Sequence, residues 1–319
     1  MHYRRLGSAG IKVSEISLGA WITFGDQIDE KVAVDLVQAA YDQGVNFFDN
    51  ADVYAAGRAE TMMGKAIKDL PREALVISSK VFWPTMPGIN GRGLSRKHIT
   101  ESIHASLKRL NCDYVDIYYC HRFDPDTSVE EVVQTMDILV RQGKVLYWGT
   151  SEWQATQVVQ AYEYARRNGL VAPSVEQPQY NLFRRERVEI ELAPLCKEYG
   201  LGLTTFSPLY VGILTGKYDE GIPKDSRATL EDMAWIKDRL TPENLAKVRC
   251  FSTIAKEMGL TSAQLAIAWI LRRKDVSSVI SGATRLEQLD ENLAAVEVVE
   301  QLDEHILARI DEIFPVPQE

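Results

Sequence analysis

The sequence predicts an α/β fold: a closed (β/α)8 barrel of the TIM type, with an N-terminal β-hairpin and an extra C-terminal helix. Three observations carry that reading. Short apolar runs alternate eight times with amphipathic helical patterns. Three successive apolar runs end at Asp49 (with Tyr54 five positions on), Lys80 and His121, and in a parallel barrel the C-terminal strand ends converge on one mouth. Composition shows no break between the halves, so residues 1–319 read as a single domain. A lone barrel needs about 250 residues, which leaves room for modest extensions. A doubly wound sheet is the alternative. It wants a glycine-rich turn after the first strand, and Gly19-Ala20-Trp21-Ile22 does not supply GxGxxG.

The elements follow in order. Met1 to Val13, with Gly7 and Gly10 as turn signals, predicts a hairpin across the barrel floor. The first buried strand is Ile16 to Gly19, followed by a loop to Gln27 and a helix from Lys31 to Gln43. The second strand begins at Val45 and carries Asp49; after Tyr54 a helix runs from Glu60 to Lys68. The third strand, Ala74 to Lys80, opens into a Gly-, Pro- and aromatic-rich loop from Val81 to Leu94, long enough for a substrate lid. Ser95 N-caps a helix with Ile99, Ile103, Leu107 and Leu110 on one face. Strand four is Tyr114 to Cys120, and Val129, Val132, Val133, Met136, Leu139 and Val140 then mark a helix that docks on a sheet. Strand five (Val145 to Thr150), a helix (Ala155 to Arg167), strand six (Ser174 to Glu176), a helix (Glu186 to Tyr199) and strand seven (Gly202 to Phe206) continue the alternation. A long excursion runs from Ser207 to Thr241. One helical pattern then spans Glu243 to Arg273, before strand eight (Ser277 to Ile280), a helix from Leu286 to Ala294 and a last helix from Asp303 to Phe314.

A net charge of −9 argues against nucleic-acid or anionic-membrane partners, because counterion release needs a basic face. No window is apolar and long enough for a membrane span, so no membrane insertion is expected. Cys112, Cys120, Cys196 and Cys250 show no ligand or disulfide spacing, and no apolar signal segment opens the chain, which together read as the cytoplasm. The five histidines are scattered and no HExxH or EF-hand occurs, so no metal is inferred.

At the strand ends the residue types suit protonation of a carbonyl oxygen. A tyrosine with a pKa of about 10 is a weak donor, and a nearby cation strengthens it. At roughly 4 Å and an effective dielectric near 20, an ammonium is worth about 4 kcal/mol to a phenolate before desolvation opposes it. Lys80 would supply that charge to Tyr54, Asp49 would hold Lys80, and His121 would orient the substrate oxygen. Taken singly, each has an ordinary structural explanation: a helix cap, a surface anchor, a solvated strand end, a packed imidazole. An acid of this kind is idle unless a hydride reaches the carbon, so a nicotinamide cofactor is implied. Ser151 and Gln177 would bond a carboxamide, and Phe206 offers either a stacking face or plain core. The loop from Ser207 to Lys217 reads as a phosphate cradle without the Walker A spacing. Thr284, Arg285 and Gln288 stand at a helix start that favours an anion, and a 2′-phosphate would make the cofactor NADP(H). Arg227 would stack on adenine, or is a solvated loop arginine.

With those residues in hand, the chain resembles the aldo-keto reductase superfamily nearly end to end, and within it the β subunits of voltage-gated potassium channels and their bacterial relatives. Phe47-Phe48-Asp49-Asn50-Ala51-Asp52-Val53-Tyr54, Tyr147-Trp148-Gly149-Thr150-Ser151, Leu214-Thr215-Gly216-Lys217-Tyr218 and Gln264-Leu265-Ala266-Ile267-Ala268-Trp269 carry the likeness. The resemblance implies Tyr54 as proton donor, with Asp49, Lys80 and His121 as its partners. It also implies that Trp21, Gln27, Ser151, Gln177, Phe206, Ser207, Pro208, Leu209, Val211, Lys217 and Arg227 contact NADP(H). Gly282, Thr284, Gln288, Glu291 and Asn292 would enclose its adenosine and phosphate. The channel subunits have Asn where this chain has His121, Arg at Glu152 and Trp at Phe206. The first difference favours turnover, the second removes a cofactor contact, and the third keeps a stacking ring. No long pore-blocking N-terminal extension precedes the barrel, which favours a free-standing enzyme. Relatives suggest a homo-oligomer, a tetramer or octamer. The expected activity is reduction of a small-molecule carbonyl in a pocket of Trp21, Phe24, Trp83 and Tyr119. The alternatives are a redox-sensing NADP(H)-binding accessory subunit with little turnover, and a hydrolase pairing Asp49 with Glu152.

Overall fold

A computed structural model describes residues 1–224 and 226–316; Asp225, inside the expected excursion, and residues 317–319 lie outside the described residues. The chain begins with the antiparallel pair β1 (Tyr3–Arg5) and β2 (Lys12–Ser14). Eight parallel strands then close a barrel: β3 (Ile16–Gly19), β4 (Phe47–Asp49), β5 (Val76–Val81), β6 (Val115–Cys120), β7 (Val145–Ser151), β8 (Val175–Gln177), β9 (Gly202–Phe206) and β10 (Val276–Ser281), which returns to pair with β3. The expected (β/α)8 barrel and N-terminal hairpin are present.

The hairpin closes the floor. Leu6 and Val13 pack on the inward side chains Phe47, Val76, Ile117 and Val175. The Arg4 guanidinium donates to the carbonyls of Leu271, Arg273 and Val276 and pairs with Glu15 at 2.6 Å. Those bonds tie the hairpin to the chain entering β10.

Helices cover the outside of the barrel: α1 (Glu30–Asp42), α2 (Arg58–Ala66), α3 (Arg96–Leu110), α4 (Val129–Arg141) and α5 (Ala155–Arg167) follow the strands in turn. Ser95 and Ser128 cap α3 and α4 by accepting the N–H of His98 and Glu131, each at 3.2 Å. Helix α4 buries Val129, Val132, Val133, Met136 and Leu139, the stripe its 3.6-residue period predicts. The helix expected over 186–199 opens as a π-turn, Arg187–Leu192, before α6 (Ala193–Tyr199). Pro194 explains this, since it lacks the N–H an unbroken α-helix needs there.

The single helix expected from Glu243 to Arg273 is instead two, α7 (Pro242–Glu257) and α8 (Ser262–Leu271). Gly259, at φ +71°, turns the chain, and Thr261 with Gln264 forms a capping box that restarts it. Helices α9 (Leu286–Leu293) and α10 (Glu304–Ile313) complete the chain. Among the described residues no helix is long and apolar enough to cross a membrane.

Candidate active site

Barrel pleating sorts each strand into layers, and this sorting builds the site. Successive residues of a strand face opposite sides. In β5, Val76, Ser78 and Lys80 therefore point inward while Ser79 bonds Glu60 of α2 outside the barrel. In β4 the inward residues are Phe47 and Asp49; in β6 and just beyond it they are Ile117, Tyr119 and His121. The registers Phe48 to Ile77 and Lys80 to Tyr119 stack these into an apolar floor, a polar middle and a reactive rim.

Lys80 is fully buried, with its ammonium 2.6 Å from Asp49 Oδ2, 2.8 Å from the Asn50 carbonyl and 3.0 Å from Tyr54 Oη. An ammonium has three N–H donors, so all three are used. Because Lys80 donates to the tyrosine oxygen, the phenolic proton of Tyr54 must point elsewhere, and Tyr54 lines the cavity. Asp49 Oδ1 accepts from Ser78 Oγ at 2.8 Å and from Gln177 Nε2, which reaches across the barrel to 3.0 Å. Burying such an ion pair costs several kcal/mol per ion unless the geometry is good and further hydrogen bonds offset it; here Asp49 receives three bonds and Lys80 gives three.

Tyr54 sits beyond β4 in a 3-10 turn, Tyr54–Gly57, whose next residues, Ala55 and Ala56, have φ of +48° and +53°. Left-handed backbone is costly for any residue with a Cβ, and such strain gathers at sites that demand one side-chain direction. Ile22, Glu152, Ser207, Tyr210 and Val211 share this conformation, all in loops at the same mouth.

The sequence reading expected the Lys80 charge to make Tyr54 more acidic. The net effect is the reverse. Burial raises the phenol above its ordinary pKa, and Lys80 offsets only part of that. Burial opposes the charge on Lys80 too, but Asp49 and then Tyr54 outweigh it and keep the ammonium above its ordinary value. His121 is held well below its usual pKa by burial, then by Lys80 and Arg122, so its imidazole is neutral near pH 7. Its ring stands edge-on to Tyr54 at 5.8 Å, and its Nδ1 is buried without a partner.

Asp49, Tyr54, His121 and Gln177 meet a cavity of about 1200 Å³. Of the sequence-predicted residues, Trp21, Gln27, Asp49, Tyr54, His121, Ser151, Gln177 and Phe206 line it, as do Ser207, Pro208, Leu209 and Val211. Lys217, Arg227, Gly282, Thr284, Gln288, Glu291 and Asn292 line it as well. Lys80 lies just behind the wall. Two expected pocket walls are corrected: Phe24 and Tyr119 are buried in the core, Tyr119 bonding Thr204 at 2.9 Å, because their strand and loop positions point them inward rather than up. Glu152 turns away to accept the Gln179 N–H at 2.7 Å and does not line the cavity, so it does not pair with Asp49 as the hydrolase alternative required. Sequence reasoning missed Ser78, visible in principle as the inward residue two before Lys80, and Arg122, which follows His121 directly.

Away from Tyr54, the cavity carries a second set of groups. Lys217 is held below its ordinary pKa by the cavity walls and by the charges of Arg227 and Arg285. Among the described residues no carboxylate pairs with Lys217 or Arg227. Two glycines make space for the cations: a Cβ at Gly212 would meet Lys217 Nζ at 2.8 Å, and one at Gly282 would meet Arg227 Nη2 at 3.3 Å. Thr284 donates both its N–H and its hydroxyl to Gln288 Oε1, fixing the start of α9. Mutually repelling cations around a cleft fit a phosphate-bearing ligand.

An Aldo/keto reductase family model matches residues 15–314. The chain belongs to the aldo/keto reductase family. This oxidoreductase family generally binds a nicotinamide cofactor and acts on small carbonyl compounds. The chain is 52% identical over 318 residues to a probable voltage-gated potassium channel subunit beta of Arabidopsis thaliana, covering 98% of this chain and 97% of the relative. It is 51% identical over 317 residues to a protein of the same description from Oryza sativa subsp. japonica, covering 98% and 96%.

Proposed function

We propose that this aldo/keto reductase, acting through the whole 1–319 chain in the cytoplasm, is an NADPH-dependent reductase of aldehydes and ketones. One observation supports it above the rest: Tyr54 Oη accepts from an ammonium 3.0 Å away that is itself fixed by Asp49. The cofactor, when bound, supplies a hydride to the carbonyl carbon. The remaining work belongs to the chain. His121, neutral and beside Tyr54, donates a hydrogen bond that orients the carbonyl oxygen, and Tyr54 gives that oxygen its proton. A nascent alkoxide is far more basic than a phenolate, so even a phenol raised by burial donates to it. Lys80 then stabilises the phenolate left behind. Ser151, Gln177 and Phe206 would hold the nicotinamide end, and Trp21, Gln27 and the Ser207 to Val211 loop its flanks. Lys217, Arg227, Thr284, Arg285 and Gln288 would hold the phosphates and adenosine, with Gly282, Glu291 and Asn292 around them.

NADPH oxidation with 4-nitrobenzaldehyde tests the proposal. Tyr54→Phe should lose at least about 100-fold in kcat, the worth of a general acid, with NADPH affinity retained; an unaffected rate refutes the assignment. The likeness to plant proteins described as probable voltage-gated potassium channel β subunits supports a second reading, an accessory subunit, here taken to sense NADP(H). It predicts tight cofactor binding, negligible turnover and a stable complex with a partner, or assembly as a tetramer or octamer.

A further inference from the structure

We infer that Arg122 is an anion-recognition residue, and that the carbonyl compounds this site favours carry a carboxylate or phosphate close to the reacting carbon. The inference rests on the reductase reading above and names its substrate class. Arg122 lines the same cavity as Tyr54, His121 and Trp83. Its guanidinium carbon lies 5.8 Å from the Trp83 ring, that ring 6.3 Å from His121, and His121 5.8 Å from Tyr54. The cation thus stands a short molecule's length from the proton donor.

Arg122 has capacity to spare. One Nη1 N–H goes to the carbonyl of His121, and among the described residues no carboxylate pairs with the guanidinium. The acidic groups that line the cavity on this side are engaged elsewhere, Asp49 with Lys80 and Asp26 with Arg58. An arginine presents five donors in a planar fork that matches a carboxylate or phosphate.

Arg122 is also separate from the cations assigned to the cofactor. The charges felt at His121 are those of Lys80 and Arg122, whereas those felt at Lys217 are Arg227 and Arg285. Arg122 follows β6 and Arg285 follows β10, strands four apart in the eight-stranded barrel and so on opposite sides of its mouth. One cavity therefore holds two distinct positive centres. A dinucleotide occupies one and leaves the other, beside the indole walls of Trp21 and Trp83, for the second reactant. A carbonyl compound that brings its own negative charge gains a charge-assisted pair that a neutral one cannot, so the site discriminates by charge as well as shape.

Two matched substrate pairs test this with NADPH: succinic semialdehyde against butanal, and glyceraldehyde 3-phosphate against glyceraldehyde. In at least one pair the anionic member should exceed the neutral one by about 10- to 100-fold in kcat/KM, the worth of a charge-assisted hydrogen bond. Arg122→Gln should collapse that ratio, and Arg122→Lys should restore part of it. The responding pair identifies carboxylate or phosphate. A ratio near one in both pairs, or a ratio that survives Arg122→Gln, overturns the inference. Calorimetry of succinate and of inorganic phosphate with NADP+-saturated protein gives a readout independent of turnover. Binding that is lost in Arg122→Gln supports the anion site even where no carbonyl is reduced, in which case the reductase reading alone falls. Neutral aldehydes reduced, with neither anion bound, sink this inference and leave the reductase reading standing; no turnover and no binding sinks both.

Discussion

Replacing Lys80 by methionine removes a group that both fixes Asp49 and touches Tyr54. The ammonium lies 3.0 Å from Tyr54 Oη, and at that separation with an effective dielectric near 20 its attraction for a phenolate is about 5 kcal/mol. With the proton about half transferred in the transition state, roughly half of that is lost, so kcat should fall about 100-fold. The variant also strands Asp49, whose carboxylate is 3% exposed, and an uncompensated buried charge costs about 3–5 kcal/mol of stability. The two effects must be separated. Asp49→Asn with Lys80→Met keeps a neutral partner for Ser78 and Gln177, so it should recover most of the stability and none of the rate. The assay is single-turnover reduction of 4-nitrobenzaldehyde at saturating NADPH, beside a urea midpoint for each variant. A folded Lys80→Met enzyme within about threefold of the native rate would refute the electrostatic role, because a loss that small is well under 1 kcal/mol. A double variant that regains the rate would refute it equally.

Other outcomes follow from the same geometry. Arg285 is exposed and its nearest carboxylate partner, Glu287, is 3.8 Å away. Arg285→Ser should weaken NADPH binding about 10-fold and leave NADH unchanged in a fluorescence titration; equal weakening of both would remove it from the 2′-phosphate. Asp52 is buried, receives a 2.6 Å bond from Ser102 Oγ, leaves Oδ1 unpaired, and is raised by burial from 3.8 to about 7. The folded protein therefore binds this proton more tightly than the unfolded chain. Its contribution to stability is whole below about pH 4 and is lost as pH rises through about 7. Between pH 5.5 and 8.5 Asp52→Asn should lose about 2 kcal/mol less than the native protein in urea unfolding; parallel profiles would count against a protonated Asp52.

Features that depend on local period and on strand ends were legible in the residues alone. The alternation of apolar runs with 3.6-residue stripes predicted the barrel. Asp49, Lys80 and His121 were legible because each closes a strand, and a parallel barrel brings those ends to one rim. Helix boundaries were legible where a cap or glycine spoke, as at Ser95, and failed where one glycine, Gly259, had to be weighed against a long periodic pattern.

Other features emerged only on packing, because they depend on groups far apart in the chain. Gln177 reaches Asp49 across the barrel, 128 residues away, and no spacing announces such a bond. Phe24 and Tyr119 turned from the cavity into the core, where neighbours on other elements receive them. The pKa of Tyr54 moved up rather than down because desolvation is a property of everything packed around a group, whereas the attraction of Lys80 comes from one neighbour. A sequence can name the neighbour; only the packed chain sets how much water the pair has lost.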